Sequence, residues 1–216
     1  MGGRNNRRDP ERNQGRILRA ATEEFARHGP GGARVDRIAA RAGTNKRMLY
    51  YYYGNKDDLF LEVLEAAYAR IRNAEKALHL AEVDPAEGIR RLVEFTWQYY
   101  LEHPEFLTLL NSENLHRGRH VKRSRRIAAM HSPFVATIRD LLERGVRAGK
   151  FRRGVDPVQL YISIAGLGYF YLSNRYTLSN IFRRALHAPR HRAERLRHMT
   201  EVVLGYLRKW PKGGTP

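Results

Sequence analysis

Between Arg34 and Leu59 the chain gathers hydrogen-bond donors and aromatic rings into a short span, and their spacing suits the reading of a DNA duplex. Arginine can donate to N7 and O6 of guanine, and asparagine can pair with adenine. Lysine and tyrosine hydroxyls reach phosphates. On a helix opening near Lys46, Leu49 and Tyr53 lie one turn apart and point inward, with Tyr50 beside them. Asn45, Lys46, Arg47 and Tyr51 then face outward. A helical hairpin with a merely solvated basic face is the plainer reading of such a segment. The glycine turn, the tyrosine run and the lysine that follows together favour DNA.

Those side chains need two short helices held at an angle. A helix-turn-helix requires a small residue where its helices touch and a residue able to turn between them. Ala39 and Gly43 supply both. Lys56 opens the next helix, whose first backbone N–H groups are free to face a phosphate.

The balance of charge agrees, although weakly. The 216 residues carry a formal net charge of +18, which favours polyanions, either nucleic acid or an anionic membrane surface. Arginine is abundant along the whole chain, so only charge coupled to a docking geometry is informative. The 42% of hydrophobic residues suffice for a sizeable core. With no cysteine there is no disulfide, thiol nucleophile or thiolate metal site. No apolar run approaches membrane-spanning length and no secretory leader is evident, so a cytoplasmic protein with no membrane partner is expected.

Apolar spacing predicts an all-α fold of about nine helices. Residues 1–10 read as a disordered basic arm and 211–216 as a flexible tail. Ile17, Leu18, Ala21, Phe25 and Ala26 mark a first helix ending at Gly29-Pro30-Gly31-Gly32. A second buries Val35, Ile38, Ala39 and Ala42. A long helix is predicted over 56–80. Later helices open at Asp84-Pro85, after His103-Pro104 and near Val121. Asp156-Pro157 opens one reaching about Ala185, and a last lies between Pro189 and Trp210. The expected division is 11–56 for DNA binding and 57–210 for a helical sensing and dimerisation domain.

Aromatic walls with a few amides suit a ligand pocket between helices, and the candidates are Trp97, Tyr100, Asn111, Asn114, Tyr169 and Asn174. Each ring could equally fill the core. Glu113, His116 and His120 share helical spacing, but the basic residues from Arg117 to Arg126 oppose a cation there. No metal or other cofactor is expected, and that basic run reads as a solvated helix start or loop.

The first 60 or so residues resemble the DNA-binding domain of the tetracycline-repressor (TetR) family. The matching positions are Ile17-Leu18, Ala21, Phe25, Gly29, Val35, Ile38-Ala39, Ala42-Gly43, Leu49-Tyr50, Tyr53, Lys56 and Leu59. The resemblance implies a three-helix head, a homodimer on a palindromic operator, and a larger helical domain sensing a small molecule. The DNA-facing set becomes Arg34, Thr44, Asn45, Lys46, Arg47, Tyr50, Tyr51 and Lys56. The chain departs from the family at Asn13-Gln14, Arg34, Thr44-Asn45, Arg47-Met48 and Tyr52-Tyr53. Arg47 stands where a glycine is usual, so base preference cannot be carried over. Family dimers use the last two long helices. Here that implies Leu160, Ile164, Leu167 and Tyr171, with Leu196, Met199, Val203 and Tyr206, although a monomer could bury both stripes.

The leading expectation is therefore a DNA-binding transcriptional repressor controlled by an effector, and not an enzyme. There is no Gly-rich phosphate loop, no His-Glu-x-x-His pair and no nucleophile elbow. A nonspecific architectural DNA binder is the remaining alternative, with affinity governed by salt alone.

Overall fold

A computed structural model describes residues 10–209; the proposed basic arm, apart from Pro10, and the proposed tail lie outside them. Ten α-helices are present among the described residues: α1 (Pro10–Gly32), α2 (Val35–Arg41), α3 (Lys46–Tyr53), α4 (Lys56–Lys76), α5 (Pro85–Glu102), α6 (Pro104–Leu115), α7 (Arg125–Arg147), α8 (Pro157–Ser173), α9 (Arg175–Ile181) and α10 (Pro189–Leu207). A 3-10 turn at Val121–Arg123 precedes α7. The extra helix arises because the stretch expected to run to Ala185 breaks at Asn174. There the Asn174 amide donates to the Phe170 carbonyl of α8, and the Thr177 hydroxyl bonds the Asn174 carbonyl to begin α9. The long α4 ends at Lys76, four residues short of expectation, where the chain passes into turns and His79 takes φ 47°.

The chain forms two compact units, residues 10–68 with 105–127, and residues 69–104 with 128–209. In the first, Ile17, Phe25, Ile38, Leu49, Leu59 and Phe60 are almost wholly buried, and Phe25 meets Phe60 edge-to-face at 5.0 Å. The DNA-binding span expected at 11–56 lies within this unit. In the second, α5 packs against α8 and α10. Asp84 and Asp156 cap α5 and α8, each accepting two backbone N–H groups ahead of a proline in the first turn. Gly168 of α8 lies against Tyr100 and Met199, where the missing Cβ lets the helices approach closely, whereas Gly166 has open space around it. No helix among the described residues is long and apolar enough to cross a membrane.

Candidate nucleic-acid interface

The helix pair is built by local chemistry. Gly43 adopts φ 61°, a left-handed conformation that side chains with a Cβ rarely take, and this turns the chain between α2 and α3. Arg16 donates to the Gly43 carbonyl at 3.2 Å, so α1 holds the turn. Ala39 and Ala42 are buried beneath it, and Leu49 roots α3 with no exposed surface. Tyr53 closes the far end: its hydroxyl donates to the Gln14 carbonyl at 2.9 Å, and burial pushes its pKa up to about 12.

The outer surface carries the side chains expected to read DNA, in several different states. Arg47 is exposed and has no hydrogen-bond or ionic partner among the described residues. Tyr50 and Tyr51 are exposed as well, Tyr51 at 78%. Lys46 is held by Asp36 of α2, with Nζ 2.6 Å from Oδ1, and Arg34 lies 3.7 Å from the other carboxylate oxygen. The hydrogen bond from Lys46 holds the Asp36 carboxyl below the usual carboxylate range. Thr44 is half-buried in the turn, and its N–H bonds the Ala39 carbonyl.

Two of these residues do other work in the free protein. Asn45 is the N-cap of α3, and its Oδ1 accepts from the Met48 N–H at 2.9 Å. An asparagine uses both its carbonyl and its amide to pair with adenine, and capping leaves Asn45 its Nδ2 donors and one lone pair of Oδ1. Lys56 reaches back to the Ala33 carbonyl at 3.4 Å, pinning the start of α4 to the loop before α2. The residue that caps α4 is Asn55, accepting from Asp58 N–H at 2.9 Å.

The basic run is a turn and helix start, as expected, and three of its exposed arginines are paired with carboxylates. Arg119 contacts Asp57 and Arg123 contacts Asp58, both at 2.6 Å, and Arg126 lies 2.9 Å from Glu65. Ser124 donates to the same Glu65 carboxylate. Glu113 is buried and receives the backbone N–H groups of His120 and Val121 and, at 2.6 Å, the His120 ring. His116 turns its Nδ1 to the Ser112 carbonyl. The triad is therefore a helix-terminating hydrogen-bond cluster, and no group of three or more potential metal ligands occurs among the described residues.

Trp97, Tyr100, Tyr169 and Asn174, expected to line a pocket in the second unit, are not among the residues that line its 460 Å³ cavity. Trp97 and Tyr100 are buried in packing, Trp97 edge-to-face with Tyr171 at 5.6 Å. Tyr169 is half-buried, which raises its hydroxyl pKa. Asn174 spends its amide on its own helix, and so does Asn114, bonding the Leu110 carbonyl. Asn114 and Asn111 belong to the first unit. That cavity opens between the C-terminal half of α4, the turns that follow it, and α7. Arg72 and Glu75 line it, and neither is among the candidates that the sequence suggests. The signal was available, since they continue the inward stripe of Leu64 and Ile71 at helical spacing.

The dimer stripe also needs correction. Leu160, Ile164, Met199 and Val203 are between 0% and 3% exposed within one protomer, so they serve its own core. Leu167, Tyr171 and Leu196 are half-buried. Helix α8 is apolar nearly all round, so spacing could not tell its inner face from its outer one. The outer apolar residues are Val158, Ile162 and Phe170 on α8 with Val202 and Tyr206 on α10.

A short helix seated by a glycine turn, with its polar face clear of the core, defines a helix-turn-helix DNA-binding protein. Residues 17–63 match the family model described as bacterial regulatory proteins of the tetR family, and residues 85–203 match the tetracyclin repressor-like C-terminal domain. The chain belongs to the TetR family of DNA-binding transcriptional regulators; it is a regulator and not an enzyme. It is 40% identical to the HTH-type transcriptional repressor NicS of Pseudomonas putida, over 92% of this chain and 94% of that one. A second relative, the HTH-type transcriptional repressor SCO4008 of Streptomyces coelicolor, is 43% identical over 64% of this chain and 69% of its own length. Among solved structures, the transcriptional regulator SCO4942 of Streptomyces coelicolor superposes with a TM-score of 0.66 at 25% identity, covering 89% of this chain and 97% of that one.

Proposed function

We propose that the protein is a homodimeric repressor that binds a palindromic operator through α3 and leaves it when a small molecule occupies the helical domain. The unpartnered, outward Arg47 on α3 is the observation that carries the DNA half of this reading. The chain's similarity to NicS and SCO4008, both transcriptional repressors, supports repression. The exposed apolar side of α8 and α10 supports a second copy, because a large uncovered apolar face marks an interaction surface. Two symmetry-related heads about 34–36 Å apart would meet successive major grooves. An effector that prefers an arrangement with the heads wrongly spaced would weaken operator binding by population shift.

Selection of bound fragments from random duplexes tests this directly. A symmetric pair of half-sites is expected, and Arg47→Ala should lower affinity for that site by about tenfold or more while sparing random duplex. Enrichment of single unpaired sites, or equal losses on both duplexes, would overturn it.

A further inference from the structure

The cavity of the second unit contains an arginine that its surroundings leave half-used. Arg72 is 5% exposed, which is rare for a guanidinium. Its face is well covered, with the guanidinium carbon 4.0 Å above the Phe134 ring and 5.2 Å from that of Tyr161. Its Nη2 donates to the Tyr161 hydroxyl at 3.0 Å and lies 2.8 Å from Glu75 Oε1. Nε and Nη1 are buried and find no hydrogen-bond partner. Ring stacking satisfies the plane of a guanidinium and leaves its in-plane N–H groups untouched. Three N–H hydrogens, one on Nε and two on Nη1, thus stand unpaired where the protein withholds any acceptor.

Such groups are costly to bury, and the expense is retained where a ligand completes them. The rest of the wall is apolar at Ala69, Leu80, Ala81, Met130, Pro133 and Phe134. It is polar at Asn73, Thr137 and the exposed His79 and Glu82, whose side chains pair with each other. Lys76 stands exposed at its margin.

We propose that this cavity takes a small organic carboxylate, its anionic end accepting from Arg72 and its apolar body lying against Met130, Pro133 and Phe134. Glu75 does not occupy that place, because it reaches only Nη2 and neither of its oxygens makes a well-formed hydrogen bond. Burial raises the Glu75 pKa to about 8 against the lowering effect of Arg72, which favours the neutral carboxyl group, whose O–H is one more donor for an anion. A neutral Glu75 also leaves Arg72 as the charge that the ligand must balance.

This inference rests on the effector-responsive reading, and its test keeps the two apart. Benzoate and hexanoate, with benzamide and hexanamide as uncharged counterparts, serve as probes of the intact protein at millimolar concentration. The acids should raise the melting temperature while the amides leave it unchanged, and Arg72→Gln should abolish the acid effect. Where Arg72→Gln folds poorly, the Nε–H resonance of Arg72 in the wild-type protein should shift saturably with either acid and not with the amides. Stabilisation by amides equal to that by acids, persistence of the effect in Arg72→Gln, or no response to either acid would overturn the carboxylate assignment. Release from a selected operator duplex is scored separately. If the acids bind through Arg72 but operator affinity never changes, the anion site stands and the effector-controlled repressor reading fails. If amides bind the cavity and release the operator, the reverse holds.

Discussion

Asp36 restrains the proposed DNA-facing surface, and its removal gives a calculable result. Its carboxylate holds Lys46 at 2.6 Å and draws Arg34 to 3.7 Å, so one anion occupies two cations of the proposed interface. A phosphate must displace it to recruit either. Asp36→Asn keeps the shape of the side chain and removes that competitor. If Lys46 alone is released to a phosphate, the slope of log affinity against log salt steepens by about 0.9; if Arg34 follows, by about 1.8. Between 50 and 200 mM salt, a fourfold change, the advantage of the variant over wild type should therefore shrink by about 3.5-fold to 12-fold. Fluorescence anisotropy on selected and random duplexes across that range measures both slopes. Because phosphate contacts carry no sequence information, the gain should appear on both duplexes alike. Identical slopes, or weaker binding by Asp36→Asn, would show that Lys46 and Arg34 do not meet the backbone or that Asp36 is needed to place them.

Two further predictions concern stability. Glu75 holds its proton more tightly in the folded protein, at a pKa of about 8 against an ordinary 4.5, so its contribution is full below the ordinary value and is lost as pH rises through about 8. Glu75→Gln, compared with wild type by urea unfolding, should match it near pH 5 and exceed it by about 2–5 kcal/mol at pH 9. A variant less stable than wild type at pH 7 would mean the carboxylate is ionised and holding Arg72. Gly145 of α7 makes room for the buried ring of Phe151, since an added Cβ would lie 1.9 Å from its Cδ2. Gly145→Ala should cost about 3 kcal/mol, whereas Gly15→Ala in α1, meeting only the end of Arg19 at 3.8 Å, should gain up to about 1 kcal/mol from helix propensity. Equal effects in a melting experiment would refute that packing.

The head was largely legible from the chain because its contacts are close in sequence. Gly43, Ala39 and Leu49 act within a few residues of one another, where helix geometry converts spacing directly into facing. Arg47 faces outward for the same reason. Side-chain partners were less legible even there. Nothing in the spacing shows that Asn45 also caps α3 through Met48, or that Asp36, a full helix earlier, holds Lys46.

In the second unit local pattern carried less. An all-apolar helix such as α8 has no preferred face of its own, so only the packing of α5 and α10 against it decided that Leu160 and Ile164 go inward while Ile162 and Phe170 stay out. The amino acids by themselves determined a helical regulator with a reading helix at residues 46–53, since helix periodicity, capping and a left-handed glycine are short-range effects. Tertiary structure alone decided where an unfilled hydrogen-bonding site lies. That Arg72 meets Phe134 and Tyr161 depends on helices far apart along the chain, and which donors are left over is a property of the whole packed arrangement.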